Sequence, residues 1–266
     1  MSTFEPKMDF VYRWERDTHA EKILGFPDQR QEEDGSVSYY PPGPTLSWLS
    51  FGYDLLCLFH RQKLSDKLVM RLRNFDQFQG AWFEVIVAAT ILRAGCNIEW
   101  IDDKTKKNCE FIATHKATNT RFGVEAKSKR RSGVHNHPIM EKPSKASCMK
   151  LVNEGLEQAP EGIPFVLFVD VNQPFVPSKN PFEKPIWDET KKIAEYLPEA
   201  TIENHDRFSL LITTSFPFHY GDMSSAAPSV ENGEIIPIHC KHPLPAEVYS
   251  DIIASVKRYG IIPENI

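Results

Sequence analysis

The chain has 266 residues, of which 41% are hydrophobic and 25% are charged, and its formal net charge is −5. This composition is typical of a globular protein with a sizeable core, and the negative charge argues against strong non-specific binding of nucleic acid. The sequence shows no signal-peptide pattern, no apolar run long enough to span a bilayer, and five scattered cysteines without a C-x-x-C pair. We therefore expect a cytoplasmic protein with reduced thiols and no membrane partner.

Residues 1–75 predict an N-terminal extension that packs on a later core. Residues 1–45 are polar and rich in turn residues, with breakers at Asp34-Gly35-Ser36 and at 41–44. From Leu46 to Asn74, leucines and Tyr53 recur at helical spacing. This segment predicts one or two helices whose apolar stripe is part of the core.

Residues 76–172 predict the core, which begins with a buried helix. Gly80 to Leu92 is apolar on nearly all sides, and Gly95 is a suitable stop. Glu84 is the only charged residue between Ala81 and Leu92. A lone carboxylate in such a helix is unfavourable unless it is paired or bound to a metal. An ion pair with an arginine is the simpler of these two interpretations.

Three strands follow, and they bring acids together. The first is predicted at 96–101, the second at 109–114 with Glu110, and the third at 122–127 with Glu125 and Lys127. Glu125 and Lys127 share one strand face, and Glu110 lies beside Glu125 if the last two strands form a hairpin. Two carboxylates and an ammonium can hold a divalent metal and position a water for phosphodiester attack. Each residue alone is more typical of a surface salt bridge or a strand edge.

The end of the predicted core combines a basic loop with a buried strand. Between Lys127 and Lys150 there are seven Lys or Arg and one acid, so this segment predicts phosphate contacts, with a solvated loop as the alternative. Residues 145–158 predict a helix, and the continuous apolar run 164–171 predicts a strand parallel to the third one. The residues predicted to bind nucleic acid are Lys129, Arg130, Arg131 and Lys145.

Residues 173–266 predict a C-terminal extension of the same domain. A proline-rich loop is followed by a predicted helix at 187–196 and a strand at 208–214 that adds to the sheet. A further strand is predicted at 234–240, at an edge because it contains Pro237. The last predicted helix covers 245–259 and ends at Gly260.

The order of these elements and acids resembles the PD-(D/E)xK nuclease superfamily, which has the restriction-endonuclease-like fold. The resemblance spans about Gln77 to Val171. It implies an α/β fold whose core is a helix, a three-strand antiparallel meander, a helix and a strand. The acid of the second strand is usually Asp in that family, whereas here it is Glu110.

The resemblance also implies roles for individual residues. Glu84, Glu110, Glu125 and Lys127 match the catalytic positions, and Glu84, Glu110, Glu125 and the backbone carbonyl of Ala126 match the ligands of Mg²⁺ (or Mn²⁺). Lys127 would orient the attacking water and help to deprotonate it. The implied activity is a metal-dependent endonuclease acting on DNA. Because many proteins of this fold act as dimers, the resemblance also allows a homodimer.

Two other classes of protein stay open. The first is a degenerate module of this fold that binds nucleic acid or a protein partner without cutting. The second is an interaction protein in which Glu84 is simply ion-paired in the core. The first predicts that no metal needs to bind at Glu110 and Glu125, and the second predicts that loss of the Glu84 charge costs stability.

Overall fold

The structure, a computed structural model, describes residues 29–31, 35, 37–39, 43–61, 64–74, 76–101, 108–129, 148–173, 184–198, 201, 203–216 and 230–260. These residues form an α/β fold with a six-stranded mixed sheet, a two-stranded hairpin and six helices. The predicted α/β class is therefore confirmed. No helix within these ranges is both long and apolar enough to cross a bilayer.

The N-terminal segment contains a short hairpin and the two helices that the leucine spacing predicts. Strands β1 (Gln29–Gln31) and β2 (Val37–Tyr39) pair antiparallel, and Gly35 in the turn has φ of +80°. Helices α1 (Gly43–Arg61) and α2 (Asp66–Leu72) follow. The turn residues were recognised in the sequence, but the polar strands on either side of them were not.

The predicted core helix and meander are both present. Helix α3 (Phe78–Arg93) ends just before Gly95, whose φ of +82° suits the end of a helix. Strands β3 (Cys96–Trp100), β4 (Phe111–His115) and β5 (Arg121–Ser128) pair antiparallel in chain order. The antiparallel meander is thus confirmed.

Helix α4 and strand β6 complete this part of the sheet. Helix α4 covers Met149–Leu156, within the predicted 145–158, of which 145–147 lie outside the described residues. Strand β6 (Phe165–Asp170) runs parallel to β5, and all of its residues are buried. A strand covered on both faces is what the continuous apolar run predicts.

The C-terminal segment adds two strands to the sheet. Strand β7 (Leu210–Ser215) pairs parallel with β6, and β8 (Glu231–Ile235) pairs antiparallel with β7. The strand order is therefore β3-β4-β5-β6-β7-β8. The predicted extension of the sheet is confirmed. The bounds are α5 Pro185–Tyr196, β7 Leu210–Ser215, β8 Glu231–Ile235 and α6 Ala246–Lys257.

The predicted bounds of the edge strand, 234–240, are wrong. Strand β8 ends at Ile235, and Ile238 beyond it is 92% exposed. The strand instead begins at Glu231 and includes Gly233, which passes so close to Thr190 and Thr213 that a side chain there would collide with both. A glycine inside a strand is disfavoured by composition alone, so the contact with these two threonines is what its presence reflects.

Helices cover both faces of the sheet. On one face, α1, α2, α3 and α6 enclose an apolar cluster that includes Phe122, Val124 and Phe168. On the other face, α4 and α5 pack over Phe165 and Leu167. The first cluster joins residues of all three predicted segments, so the extensions are built into the core rather than attached to its outside.

Candidate functional site

The candidate site lies where β4 and β5 separate. The last pair between these strands is Phe111 with Val124, whereas β5 continues to Ser128. Glu110 occupies a bend before β4, and its amide donates to the carbonyl of Val124 at 3.0 Å. Continued by one residue, this register places Glu110 at the level of Glu125. The hairpin predicted from the sequence therefore places the two acids opposite each other on adjacent strands.

Glu125 is a buried carboxylate with little compensation. Its exposed fraction is 0%, and the Nζ of Lys127 lies 2.6 Å from its Oε1. Among the described residues, no donor makes a hydrogen bond of good geometry to either carboxylate oxygen. Burial, and then the charge of Glu110, raise the pKa of Glu125 to about 8, although Lys127 lowers it. A buried acceptor without donors is unfavourable, and a bound cation would compensate for it.

Lys127 is held between Glu125 and a side chain that the sequence analysis did not identify. The Nζ of Lys127 donates to the Oε1 of Gln158 at 3.3 Å, in the turn after α4. The side chain of Lys127 is 17% exposed. Its ammonium is therefore fixed near the carboxylate and still partly open to solvent.

The backbone carbonyl of Ala126 lies on the side of β5 that carries Glu110. The amide of Gly123 donates to Pro164 on the β6 side, while the carbonyl of Val124 accepts from Glu110 on the β4 side. Because successive residues of a strand point their backbone groups to opposite neighbours, the carbonyl of Ala126 points to the β4 side. At this position β4 has already ended, so the carbonyl lies beside the bend that carries Glu110.

Glu84 is the third acid, and it is already paired. It is 4% exposed, and its Oε2 lies 2.6 Å from the Nη1 of Arg71 on α2. Burial, and then the charge of Glu110, raise the pKa of Glu84 to about 7, against the lowering effect of Arg71. The arginine pair that the sequence analysis left open for Glu84 is present. Its partner was not identified, because nothing in the periodicity of α2 indicates which helix it will meet.

Of the residues predicted to bind nucleic acid, only Lys129 lies within the described residues. Its amide donates to the carbonyl of Asp170 at 3.3 Å, and its carbonyl accepts from the Nδ2 of Asn172 at 2.7 Å. These bonds fix Lys129 directly after β5, beside the end of β6. Arg130, Arg131 and Lys145 lie outside the described residues.

The donor set suits a magnesium ion better than a metal that needs many protein ligands. Among the described residues, no group of three or more His, Cys, Asp or Glu side chains is arranged to hold a metal. Mg²⁺ keeps several waters and is commonly bound by one or two carboxylates. Glu110, Glu125 and the carbonyl of Ala126 fit this requirement, whereas Glu84 is held by Arg71.

A cleft of about 790 Å³ lies elsewhere, between α1, the end of α3 and α6. None of Glu84, Glu110, Glu125 and Lys127 lines it. At the cleft the buried Asp54 accepts from Arg93 at 2.6 Å and from the hydroxyl of Tyr259 at 2.7 Å. We interpret this network as a structural tie between three helices.

Comparison of the chain with protein-family models gave no match, and neither did comparison with curated proteins or with solved structures.

Proposed function

We propose that the protein is a metal-dependent nuclease that hydrolyses phosphodiester bonds, with DNA as the expected substrate. The observation that carries this proposal is the fully buried carboxylate of Glu125, which lies 2.6 Å from the Nζ of Lys127 and level with Glu110. The element order from α3 to β6 and the positions of Glu84, Glu110, Glu125 and Lys127 support the resemblance to the PD-(D/E)xK superfamily.

Each residue has a defined task in this proposal. Glu110, Glu125 and the carbonyl of Ala126 would hold Mg²⁺ or Mn²⁺, which when bound polarises the scissile phosphate and lowers the pKa of a bound water. Lys127 orients the attacking water and offsets negative charge that develops on the phosphate oxygens. The water oxygen bonds to phosphorus as one of its protons passes to solvent, and the bond to the 3′ oxygen breaks as that oxygen takes up a proton from solvent. The products are a 5′-phosphate and a 3′-hydroxyl.

The test is cleavage of plasmid, linear duplex, single-stranded DNA and RNA with Mg²⁺ or Mn²⁺. We expect metal-dependent cleavage by the parent, and we expect Lys127→Ala and Glu125→Ala to reduce its rate by at least about a hundredfold, as loss of a transition-state contact does. Lys192→Ala is the matched control, because Lys192 pairs with Glu189 at 2.9 Å in a similar lysine–glutamate pair away from the site. Cleavage by Lys127→Ala at the parent rate would show that the proposed roles are wrong.

A second candidate is a binding module of the same fold that does not cut. The observation in its favour is the ion pair of Glu84 with Arg71, which occupies an acid that matches a metal ligand of the PD-(D/E)xK superfamily. Calorimetric titration with Mg²⁺ and Mn²⁺ separates the two candidates. Metal binding that is lost in Glu125→Ala supports the nuclease, whereas nucleic-acid binding without metal binding supports the module.

A further inference from the structure

Helix α2 presents a cationic face to the acids of the candidate site. Leu68 and Leu72 are buried in the core, which leaves Lys67 and Arg71, one turn apart, on a different face. The side chain of Arg71 is 25% exposed, and Lys67 is exposed. The charge of Lys67 lowers the pKa of Glu84, so Lys67 and Arg71 both favour the ionised form of this acid.

Arg71 interacts with all three acids, although it contacts only one. Burial lowers the pKa of Arg71, but Glu84, then Glu110 and Glu125, raise it by more. Its Nη1 is bound to Glu84, while its Nη2 lies beside Gly80, at 3.6 Å from where a Cβ added to that glycine would sit. The guanidinium thus lies beside α3, at a residue that has no side chain to cover it.

The formal charge of the group becomes positive when a divalent cation is added. Glu84, Glu110 and Glu125 are three acids. Lys67, Arg71 and Lys127 are three cations, so the formal charge is zero when all six groups are ionised. A bound divalent cation changes it to plus two, which attracts a phosphate and weakens the attraction between the acids and Arg71. A guanidinium binds a phosphate with the same two-pronged geometry as a carboxylate, so Arg71 can exchange one for the other.

We propose that Arg71 has two alternative partners: Glu84 in the metal-free protein, and a backbone phosphate of the nucleic acid once the divalent cation is bound. Lys67 contacts a neighbouring phosphate from the same face of α2. This inference rests on the proposed nuclease function. In the metal-free protein, the positive charge of Arg71 partly neutralises the acids that the metal would otherwise neutralise.

The exchange predicts effects of opposite sign on two ligands. In Arg71→Met, the cation that competes with the metal is absent, so Mg²⁺ and Mn²⁺ should bind several-fold more tightly. The same variant lacks a phosphate ligand, so nucleic acid should bind roughly tenfold more weakly, as loss of a charged hydrogen bond does. Stronger binding of metal alone would follow from the loss of any nearby positive charge, so the weaker binding of the duplex is the result that indicates a phosphate contact.

The experiment measures both affinities in the same proteins. Calorimetry gives the affinity for Mn²⁺ alone, and fluorescence anisotropy gives the affinity for a labelled duplex in the presence of Mg²⁺. The anisotropy is measured in a Lys127→Ala background, so that the duplex stays intact. Arg71→Lys, which keeps the charge without the fork, should bind the duplex more weakly than the parent and more tightly than Arg71→Met.

The control is Arg93→Met, because the Nη1 of Arg93 also lies 2.6 Å from a buried carboxylate, that of Asp54. We expect both variants to lose stability and only Arg71→Met to change the two affinities. The double variant Arg71→Met, Glu84→Gln removes both charges, so it keeps the test possible if the single variant does not fold. It should still bind the duplex more weakly than the parent.

The outcomes separate this inference from the function on which it rests. If the parent binds no metal, the nuclease proposal and this inference both fail. If the parent binds metal and cuts, but Arg71→Met keeps both parental affinities, only the inference is overturned. Weaker binding of metal and duplex together in Arg71→Met would also overturn it, because that result indicates a structural role.

Discussion

Glu125 combines complete burial with a charge that the protein leaves without hydrogen bonds. A buried ion pair is rarely a net source of stability, because desolvation offsets most of the attraction between its partners. Here the pair with Lys127 is further weakened by Glu110, the next acid along the opening. This arrangement is unfavourable as structure and becomes favourable when a cation binds, which is why the carboxylate carries the functional proposal.

Replacing Glu125 by Gln tests this interpretation through stability alone. We expect the metal-free variant to have about the stability of the parent, because the neutral amide removes both the cost of burying the charge and the attraction of that charge to Lys127. We also expect Mg²⁺ to stabilise the parent, by about 2.7 kcal/mol at a hundred times the Kd, and not the variant. Thermal unfolding with and without Mg²⁺ measures both effects.

Glu189→Gln is the matched control for that measurement. Glu189 is 7% exposed and pairs with Lys192 on α5, away from the acids of the site. It should keep the parental response to Mg²⁺. An equal Mg²⁺ response in Glu125→Gln and in the parent would show that Glu125 is not a metal ligand.

At the scale of elements, small residues decide how closely helices approach the sheet. Helix α4 lies over β6 with Gly155 against the side chain of Leu167, where an added Cβ would come within 2.5 Å of the Cδ1 atom. Leu167 is fully buried, so it has little room to move aside. By contrast, within the described part of the chain no atom beyond the neighbouring turns of α1 lies within 4 Å of a Cβ added at Gly52.

These two glycines give a matched pair of substitutions. Alanine is favoured over glycine in both helices by about 0.5–1 kcal/mol, so Gly52→Ala should stabilise the protein by about that amount. Gly155→Ala should destabilise it by about 1–3 kcal/mol, because the collision with Leu167 outweighs the gain in helix propensity. Urea unfolding measures both changes, and stabilisation by Gly155→Ala would show that α4 is not held so close to β6.

The elements that could be predicted from the sequence are those whose signal is local. The apolar run before Gly95 predicts α3, and the alternation in β5 places Glu125 and Lys127 on one face. The contacts that could not be predicted join elements through side chains without periodicity, as Arg71 with Glu84 and Lys127 with Gln158 do. Strand β8 was misplaced for a related reason, since the space under Gly233 is set by α5 and β7.

At the scale of the whole molecule, one polar network connects segments that are far apart in sequence. Asp54 on α1 accepts from Arg93 at the end of α3 and from Tyr259 just after α6. The guanidinium of Arg93 also lies 5.6 Å from the ring centre of Tyr53 and 5.5 Å from that of Tyr259. The network fixes the first and last described helices against the helix that carries Glu84.

This network predicts a pH dependence of stability. Burial raises the pKa of Asp54 to about 6 from an ordinary 3.8, even though Arg93 lowers it. The folded protein therefore binds this proton more tightly than the unfolded chain does. The contribution of Asp54 is complete below the unfolded pKa, near 4, and is lost as the pH rises through about 6, a change on the order of 3 kcal/mol.

Asp54→Asn should remove this part of the pH dependence. The variant should be less stable than the parent at every pH, because Arg93 loses its carboxylate partner, but its stability should fall less between about pH 4 and about pH 7. Urea unfolding of both proteins across this range gives the difference that belongs to Asp54. Equal slopes in the two proteins would contradict the raised pKa.

The hydrogen bond between Tyr259 and Asp54 spans 205 positions of the chain. During synthesis, α1 and α3 leave the ribosome well before Tyr259 does, so until then Asp54 has only Arg93 of these two partners. The apolar face of α3 that α6 covers stays open to solvent or to a chaperone over the same period. The nascent chain therefore acquires the finished environment of α3 only after residue 259 has emerged.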